Sequence, residues 1–225
     1  MIPPILITGC ARSGTSMTAG VIDKCGAFGG KVLGPTPHNA RGQYENTAIR
    51  DAVVKPFLRR LKCDPMGQNP LPELSKMKIT EAAGEWIREQ VCRIMRDHGY
   101  KSGPWYYKGA KACLLWPFWD KAFPKAKWII VRRDKEDIIS SCMKTHFMRA
   151  YSGRSGWAGW VDHHEKCFGD MKQAGLWIRE IWPSEMVNGN FETIKKVISE
   201  IGLEWNQNAP AFVSPTLWHF MGGSK

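Results

Sequence analysis

Residues 5–17 read ILITGCARSGTSM: an apolar run, a loop with two glycines, and the first residues of a helical pattern. Residues 5–8 are short and apolar, as a buried parallel strand is, and apolar residues recur at helical spacing from Met17 onward. Residues 9–16 keep the phosphate-loop frame G-x-x-x-x-G-K-[ST], with Thr15 in place of the lysine. Backbone N–H groups of such a loop, together with the N-terminus of the next helix, bind anions. This stretch therefore predicts an α/β fold with an anion site after its first strand.

Strand and helix patterns alternate along the rest of the chain, which favours a single α/β domain over residues 1–225. We expect a mostly parallel central sheet flanked by helices, with a core like that of the P-loop NTPases. The further predicted strands are residues 105–108, 127–131 and 186–190. The predicted helices are residues 46–61 (bent at Pro56), 80–99 (with Trp86 inward), 114–123, 135–150, 161–181 and 192–201. Residues 152–159 form a predicted Gly/Ser/Trp loop.

Composition narrows the classes of partner. The chain has 32 Lys and Arg against 21 Asp and Glu, a net charge of +11, which favours an anionic partner: nucleic acid, a membrane surface or a phosphorylated small molecule. The basic residues are dispersed, which argues against nucleic acid. The uncharged run at residues 1–11 is shorter than the ~20 residues that span a bilayer. Seven scattered cysteines without a C-x-x-C pair argue against zinc or disulfide frameworks and favour a reducing cytoplasm.

A second basic site follows the strand predicted at residues 127–131. Arg133 lies just beyond that strand, and Ser141 lies eight residues later, in a helix that Asp134 should cap. Ligands of parallel sheets collect at the carboxyl ends of strands, where a guanidinium and a hydroxyl together suit a phosphate. In the alternative interpretation, Arg133 forms an ion pair with Asp134 or Asp137 at the helix start. Two anion sites on neighbouring strand ends predict a ligand with two separated phosphates.

At this point the sequence resembles the sulfotransferases that use 3′-phosphoadenylyl sulfate. The ARSGTS of residues 11–16 is similar to their 5′-phosphosulfate loop, and Arg133 with Ser141 has the spacing of their 3′-phosphate motif. Weaker similarities are found at residues 39–45 (NARGQYE), 107–118 (YKGAK, then LLWPF) and 190–192 (NFE). The resemblance covers about residues 5 to 200.

The resemblance implies 3′-phosphoadenylyl sulfate as donor, adenosine 3′,5′-bisphosphate as product, and no metal. By the same resemblance, Arg12 stabilises the leaving phosphate and Lys108 contacts the transferring group. The 5′-phosphate is held by Arg12, Ser13, Gly14, Thr15 and Ser16, and the 3′-phosphate by Arg133 and Ser141.

The steroid and phenol enzymes of this family use a histidine two residues after the strand lysine as the catalytic base. Here Gly109 and Ala110 follow Lys108, so that histidine is absent and the catalytic base is expected at another position. Bacterial members carry an aspartate where this chain has Gly109. Glu45 is the expected base, as in members that use a glutamate after the phosphosulfate loop. In the alternative interpretation, Glu45 only complements the dipole of the helix that follows it.

The sequence does not identify the acceptor: a small molecule or a carbohydrate is expected, and carbohydrate, lipid, peptide and small alcohol all stay open. It does not indicate an oligomeric state either. We expect the helix from Asn46, residues 63–79 and residues 151–165 to line the acceptor pocket, the last as a lid or an acceptor loop. Trp157 and Trp160 either stack on adenine or belong to the core. The adjacent His163 and His164 diverge by ~100° on a helix, which argues against a metal site.

Two rival functions remain. A P-loop nucleotide or small-molecule kinase is disfavoured by Thr15 at the lysine position and by the lack of an acidic metal site. A non-catalytic module that binds anions or nucleic acid is the rival of another class. The absence of a spanning segment and the cysteine pattern favour a cytoplasmic enzyme that neither spans a membrane nor binds nucleic acid.

Overall fold

The computed structural model describes residues 1–36 and 39–218. Four parallel strands form one sheet, in the order β2-β1-β3-β4. The strands are β1 (Ile5–Gly9), β2 (Tyr106–Lys108), β3 (Lys127–Val131) and β4 (Ile178–Ile181). The predicted α/β domain with a parallel sheet flanked by helices is therefore confirmed.

The longer helices are α1 (Thr15–Lys24), α4 (Glu81–Asp97), α6 (Lys135–Lys144), α7 (Arg154–Gln173) and α9 (Glu192–Glu200). Shorter ones are α2 (Thr47–Ile49), α3 (Lys55–Arg60), α5 (Trp116–Ala122) and α8 (Pro183–Val187). Short 3₁₀ turns cover Leu74–Lys76, Ala110–Leu115, Ala209–Phe212 and Pro215–Leu217. Among the described residues, no helix combines the length and apolar character that a membrane crossing requires.

Side chains of the sheet alternate between two hydrophobic cores, because successive residues of a strand point to opposite faces. Leu6 and Ile130 belong to the core that contains residues of α4 to α7. Ile7 and Val131 belong to the other core, with residues of α1, α8 and α9. Both faces of the sheet are thus covered, which is why its strands are nearly continuous apolar runs.

The fourth strand lies earlier than predicted. Residues 178–181 form β4, and the predicted strand at 186–190 is wrong because Pro183–Val187 is helical. The β4 sequence, Ile-Arg-Glu-Ile, lacks the continuous apolar run of a buried strand because charged side chains occupy its middle. Those charges are paired: Arg132 Nη1 lies 2.9 Å from Glu180 Oε1, and Arg179 forms an ion pair with Glu200.

The helices on either side of residue 150 also differ from the prediction. Helix α6 ends at Lys144 instead of residue 150, and α7 begins at Arg154, so residues 154–159 are helical instead of a loop. Glycine and serine disfavour a helix locally, but packing overrides propensity here. Trp157, Trp160 and the later core residues of α7 recur at three- and four-residue spacing and are buried.

The helical segment after Asn46 is irregular, but not at the predicted place. Residues Arg50–Val54 form a wider π turn between α2 and α3, ahead of Pro56. A proline lacks the N–H that would bond four residues back, and its ring crowds that carbonyl, so a wider preceding turn relieves the clash. In α4, Trp86 is 37% exposed, so the prediction that it faces inward is wrong.

Helix α1 packs closely on the turn at Ala209–Phe212. We expect Gly20→Ala to lower the free energy of unfolding by about 1–3 kcal/mol, although alanine is the better helix former. A Cβ at Gly20 would lie 2.2 Å from Phe212 Cε1. In the matched control Gly169→Ala, nothing described lies within 4 Å of the new Cβ, so we expect a gain of about 0.5–1 kcal/mol. Urea denaturation of both variants measures the difference. Equal stability of Gly20→Ala and wild type would mean that this turn does not pack on α1.

Candidate active site

The loop after β1 leaves the N-terminus of α1 open for a ligand. The N-cap of α1 is Gly14, with a left-handed φ of 97° that favours glycine, and it makes no side-chain cap hydrogen bond. The first N–H groups of a helix have no partner within the helix. The first helical bond here runs from the Thr18 N–H to the Gly14 carbonyl. The N–H groups of Thr15 and Ser16, ahead of it, are therefore placed for an anion.

The two predicted anion sites meet through Arg12. Its Nε donates to Ser141 Oγ at 2.9 Å, and Nη1 of Arg133 donates to the Arg12 carbonyl at 3.0 Å. Arg133 Nε also donates to Asp137 Oδ2 at 3.4 Å. Of the two ion pairs in the alternative interpretation, the one with Asp137 is therefore present. Asp134 instead caps α6, accepting from the N–H groups of Glu136 and Asp137, as predicted.

A cavity of about 370 Å³ opens at this junction. It is lined by the predicted residues Arg12, Gly14, Thr15, Ser16 and Arg133. Desolvation, then the nearby Arg133, lower the pKa of Arg12, as expected for two cations beside one cavity. The cavity therefore has cations on two sides, which is the arrangement that an anion site requires.

Several residues of this cavity were not predicted as site residues, and two of them have side chains suited to a ligand. Arg41 and Trp218 both line it. The Arg133 guanidinium lies 4.4 Å from the centre of the Trp218 ring, a cation–π contact. Arg41 belongs to the quoted 39–45 stretch and could have been found there as a further cation, whereas Trp218 follows no motif.

Ser13 differs from its neighbours in the loop. It is fully buried, its N–H donates to the Cys10 carbonyl at 3.2 Å, and its hydroxyl has no hydrogen-bond partner among the described residues. A Cβ at Gly9 would lie 2.8 Å from Ser13 Oγ, so the hydroxyl points back toward β1. Ser13 is not among the residues that line the cavity.

Glu45 is a buried carboxylate beside the start of α2. It is 7% exposed, and its Oε2 lies 3.4 Å from Arg50 Nη1. Asp51 holds the same guanidinium more tightly, at 2.9 and 2.8 Å, so Glu45 is the looser of the two partners. Asn46 caps α2, because its side chain accepts a hydrogen bond from the Ile49 N–H. Glu45 is therefore not the residue that caps this helix. Glu45 lies directly before this cap, so the alternative interpretation, in which it complements the dipole of the helix, stays open beside its role as the base.

Lys108 and Lys111 lie at the end of β2, close to the glycine loop. The Gly109 N–H donates to the Ile7 carbonyl, and Thr8 Oγ1 donates to the Ala110 carbonyl, which ties this segment to β1. Burial lowers the pKa of Lys108 to about 8, and the charge of Glu45 opposes this shift. Burial also lowers the pKa of Lys111, again against Glu45. Glu45, Lys108 and Lys111 thus form one electrostatic group, but neither Glu45 nor Lys108 lines the anion cavity.

The tryptophans expected to stack on adenine or to join the core belong to the core. Trp157 and Trp160 are 0% and 2% exposed, and their Nε1 groups donate to the carbonyls of Tyr151 and Gly67. His164 is buried, its Nδ1 lies 2.8 Å from the Trp160 carbonyl, and burial lowers its pKa to about 4. Within residues 1–36 and 39–218, no group of three or more His, Cys, Asp or Glu side chains is placed to hold a metal.

A larger cavity, of about 880 Å³, lies between α3, the segment after it and α4. Two of the three segments expected at the acceptor pocket line it: the helix after Asn46 and residues 63–79. None of residues 151–165 is among its lining residues.

Comparison with known proteins identifies the family to which this chain belongs. A family model described as the Sulfotransferase family matches residues 3–207. The structure is similar to the sulfotransferase domain of the Synechococcus PCC 7002 olefin synthase, with 15% identity, a TM-score of 0.57, and coverage of 93% of this chain and 76% of that one. It is also similar to sulfotransferase STF1 from Mycobacterium tuberculosis H37Rv, with 14% identity, a TM-score of 0.47, and coverage of 94% and 70%. No curated protein matches the sequence. Since the family model covers most of the chain, this protein belongs to the sulfotransferase family.

Proposed function

We propose that this protein transfers the sulfuryl group of 3′-phosphoadenylyl sulfate to a hydroxyl or amine of a small-molecule or carbohydrate acceptor and releases adenosine 3′,5′-bisphosphate. The observation that carries the proposal is that Arg12 and Arg133 line one cavity, while Arg12 also donates a hydrogen bond to Ser141, which is not itself a lining residue. A donor with a 5′-phosphosulfate and a 3′-phosphate needs cations at two separate points of its pocket. The open N-terminus of α1 adds backbone donors at the first of these points.

Each residue of the junction has a role in this proposal. The N–H groups of Gly14, Thr15 and Ser16, with the last two hydroxyls, hold the 5′-phosphate, and Arg133 and Ser141 hold the 3′-phosphate. Arg12 neutralises charge on the bridging oxygen as the bond from sulfur to that oxygen breaks. Ser13 contributes through the turn that its N–H closes on Cys10, since its hydroxyl points away from the cavity.

The acceptor side of the reaction is assigned to Glu45 and Lys108. As the acceptor oxygen or nitrogen forms its bond to sulfur, Glu45 takes the acceptor's proton. Lys108 contacts the sulfuryl oxygens. A direct displacement of this kind asks the protein for in-line positioning and charge stabilisation, and the proposal assigns it no metal.

The proposal predicts a loss of activity at alkaline pH. Lys108 is cationic below its pKa of about 8 and loses its charge as the pH rises through that value. We therefore expect kcat/KM, which reports groups of the free enzyme, to fall above pH 8. In Lys108→Gln this limb should disappear together with most of the activity, whereas the exposed control Lys125→Gln should keep it. An unchanged limb in Lys108→Gln would assign the titration to another group.

Transfer itself is tested with ³⁵S-labelled 3′-phosphoadenylyl sulfate and a panel of phenols, alcohols, amines and saccharides. We expect label in at least one acceptor, with release of the bisphosphate in equal amount and without added metal. Phosphoryl transfer from ATP and Mg²⁺ to the same panel, with no movement of ³⁵S, would favour the kinase. If neither label moves and the nucleotides bind only through charge, the non-catalytic module is favoured.

A further inference from the structure

The 880 Å³ cavity between α3 and α4 combines an aromatic floor with a cationic rim. Phe57 of α3 lies between two other rings: Trp86, stacked at 6.2 Å between centroids, and Phe118, edge-on at 4.7 Å. Phe57 and Phe118 are buried, whereas Trp86 stays 37% exposed on the cavity wall. An exposed tryptophan stacked on a buried phenylalanine offers a flat apolar surface to a ligand.

The rim of this cavity is strongly cationic. Arg60, Lys62 and Lys78 are exposed and line it. Lys76 and Glu73 also line it, but they form an ion pair with each other. The rim of the described residues therefore carries three cations that Glu73 does not neutralise.

The backbone at Lys62 is in a conformation that favours glycine. Lys62 has a φ of 57°, at the position after α3 where glycine is favoured. A lysine there accepts backbone strain that glycine would remove, and it places an ammonium group at the rim.

We propose that this cavity binds a small amphipathic anion, whose flat or aliphatic body lies on Trp86 and Phe57 and whose single acidic group lies between Arg60, Lys62 and Lys78. The cavity volume is that of a small-molecule site, within the usual range of about 300–1,000 Å³. The site is separate from the anion cavity at Arg12, because the two have no lining residue in common. The inference therefore stands independently of the donor and its chemistry.

Fluorescence titration with two probes of similar shape tests this proposal. The anionic probe is 8-anilinonaphthalene-1-sulfonate, and the neutral probe is N-phenyl-1-naphthylamine. We expect one sulfonate probe per chain, bound at least about tenfold more tightly than the neutral probe. Saturating adenosine 3′,5′-bisphosphate should leave the sulfonate probe bound.

Variants distinguish the contribution of the cationic rim to probe affinity from that of the aromatic floor. Lys62→Gly with Lys78→Gln removes two rim charges and relieves the strain at residue 62, so it should fold normally. It should weaken the sulfonate probe about tenfold and leave the neutral probe within twofold. Trp86→Ala should weaken both probes about tenfold, whereas the matched control Trp182→Ala, a 40% exposed tryptophan that does not line this cavity, should change neither. Equal affinity for the two probes, displacement by the bisphosphate, or indifference to both Lys62→Gly/Lys78→Gln and Trp86→Ala would overturn the proposal.

Discussion

Replacing Arg12 by alanine should lower kcat by about 100-fold or more, because charge builds on the bridging oxygen next to this residue in the transition state. Arg12 also ties the phosphate loop to α6 through Ser141 Oγ at 2.9 Å, and its loss leaves that hydroxyl without this donor. Affinity for adenosine 3′,5′-bisphosphate should fall by a smaller factor, about tenfold, since the loop N–H groups and Arg133 remain. Single-turnover release of the bisphosphate separates the two effects.

Two variants serve as controls for Arg12→Ala. Arg12→Lys keeps a positive charge but loses the planar fork, so we expect a rate between those of wild type and Arg12→Ala. Arg88→Ala removes an exposed arginine of α4, outside the cavity lined by Arg12, and should leave kcat within about twofold. A kcat for Arg12→Ala within threefold of wild type would contradict the role given to Arg12.

Glu45→Gln should also lower kcat by about 100-fold or more, because the amide keeps the shape of the carboxylate but takes no proton from the acceptor. Binding of the bisphosphate should stay within about threefold, since Glu45 does not line the cavity at Arg12 to which we assign the donor. A merely structural role predicts a different pattern: a lower free energy of unfolding with kcat retained. Measuring kcat and urea denaturation on the same sample distinguishes the two.

Asp51→Asn is the matched control for Glu45→Gln. It removes the tighter carboxylate partner of Arg50, at 2.8 Å, from a side chain that is 48% exposed. We expect kcat within about threefold, because Asp51 belongs to the same ion-pair group and takes no part in the chemistry. If Glu45→Gln keeps near wild-type turnover, the base is a different residue.

The parts of the site that were predicted from the sequence are those built from neighbouring residues. A glycine-framed loop between a strand and a helix fixes its own backbone, and an aspartate at a helix start caps it. The structure therefore confirms the strand, loop and helix at residues 5–17 and the cap by Asp134, whereas anion binding by the loop stays a prediction. The meeting of Arg12 with Ser141 joins positions 129 residues apart. The sequence predicted only that the two sites lie on neighbouring strand ends, because carboxyl ends of parallel strands share one edge of the sheet, and it paired Ser141 with Arg133 instead of Arg12.

Other elements could not be found locally because distant contacts decide them. Helix α7 begins in a glycine-rich stretch because Trp157 and Trp160 are buried in the core, where Trp160 donates to the carbonyl of Gly67, 93 residues away. Strand β4 carries charges in its middle, and their partners come from other segments: Arg132, just after β3, pairs with Glu180, and Glu200 of α9 pairs with Arg179. Trp218 lines the cavity only because the end of the described chain folds back over the phosphate loop, against Arg133.

Calorimetric titration with adenosine 3′,5′-bisphosphate, beside AMP and ATP with Mg²⁺, tests the central claim most directly. A pocket that holds both phosphates should bind the bisphosphate about 100-fold more tightly than AMP, from the added charge-assisted hydrogen bonds of Arg133 and Ser141. In Arg133→Ala most of that preference should vanish, while AMP binding changes little. Equal affinity for the bisphosphate and AMP, or preferred binding of ATP with Mg²⁺, would contradict the assignment of this cavity to a 3′-phosphorylated donor.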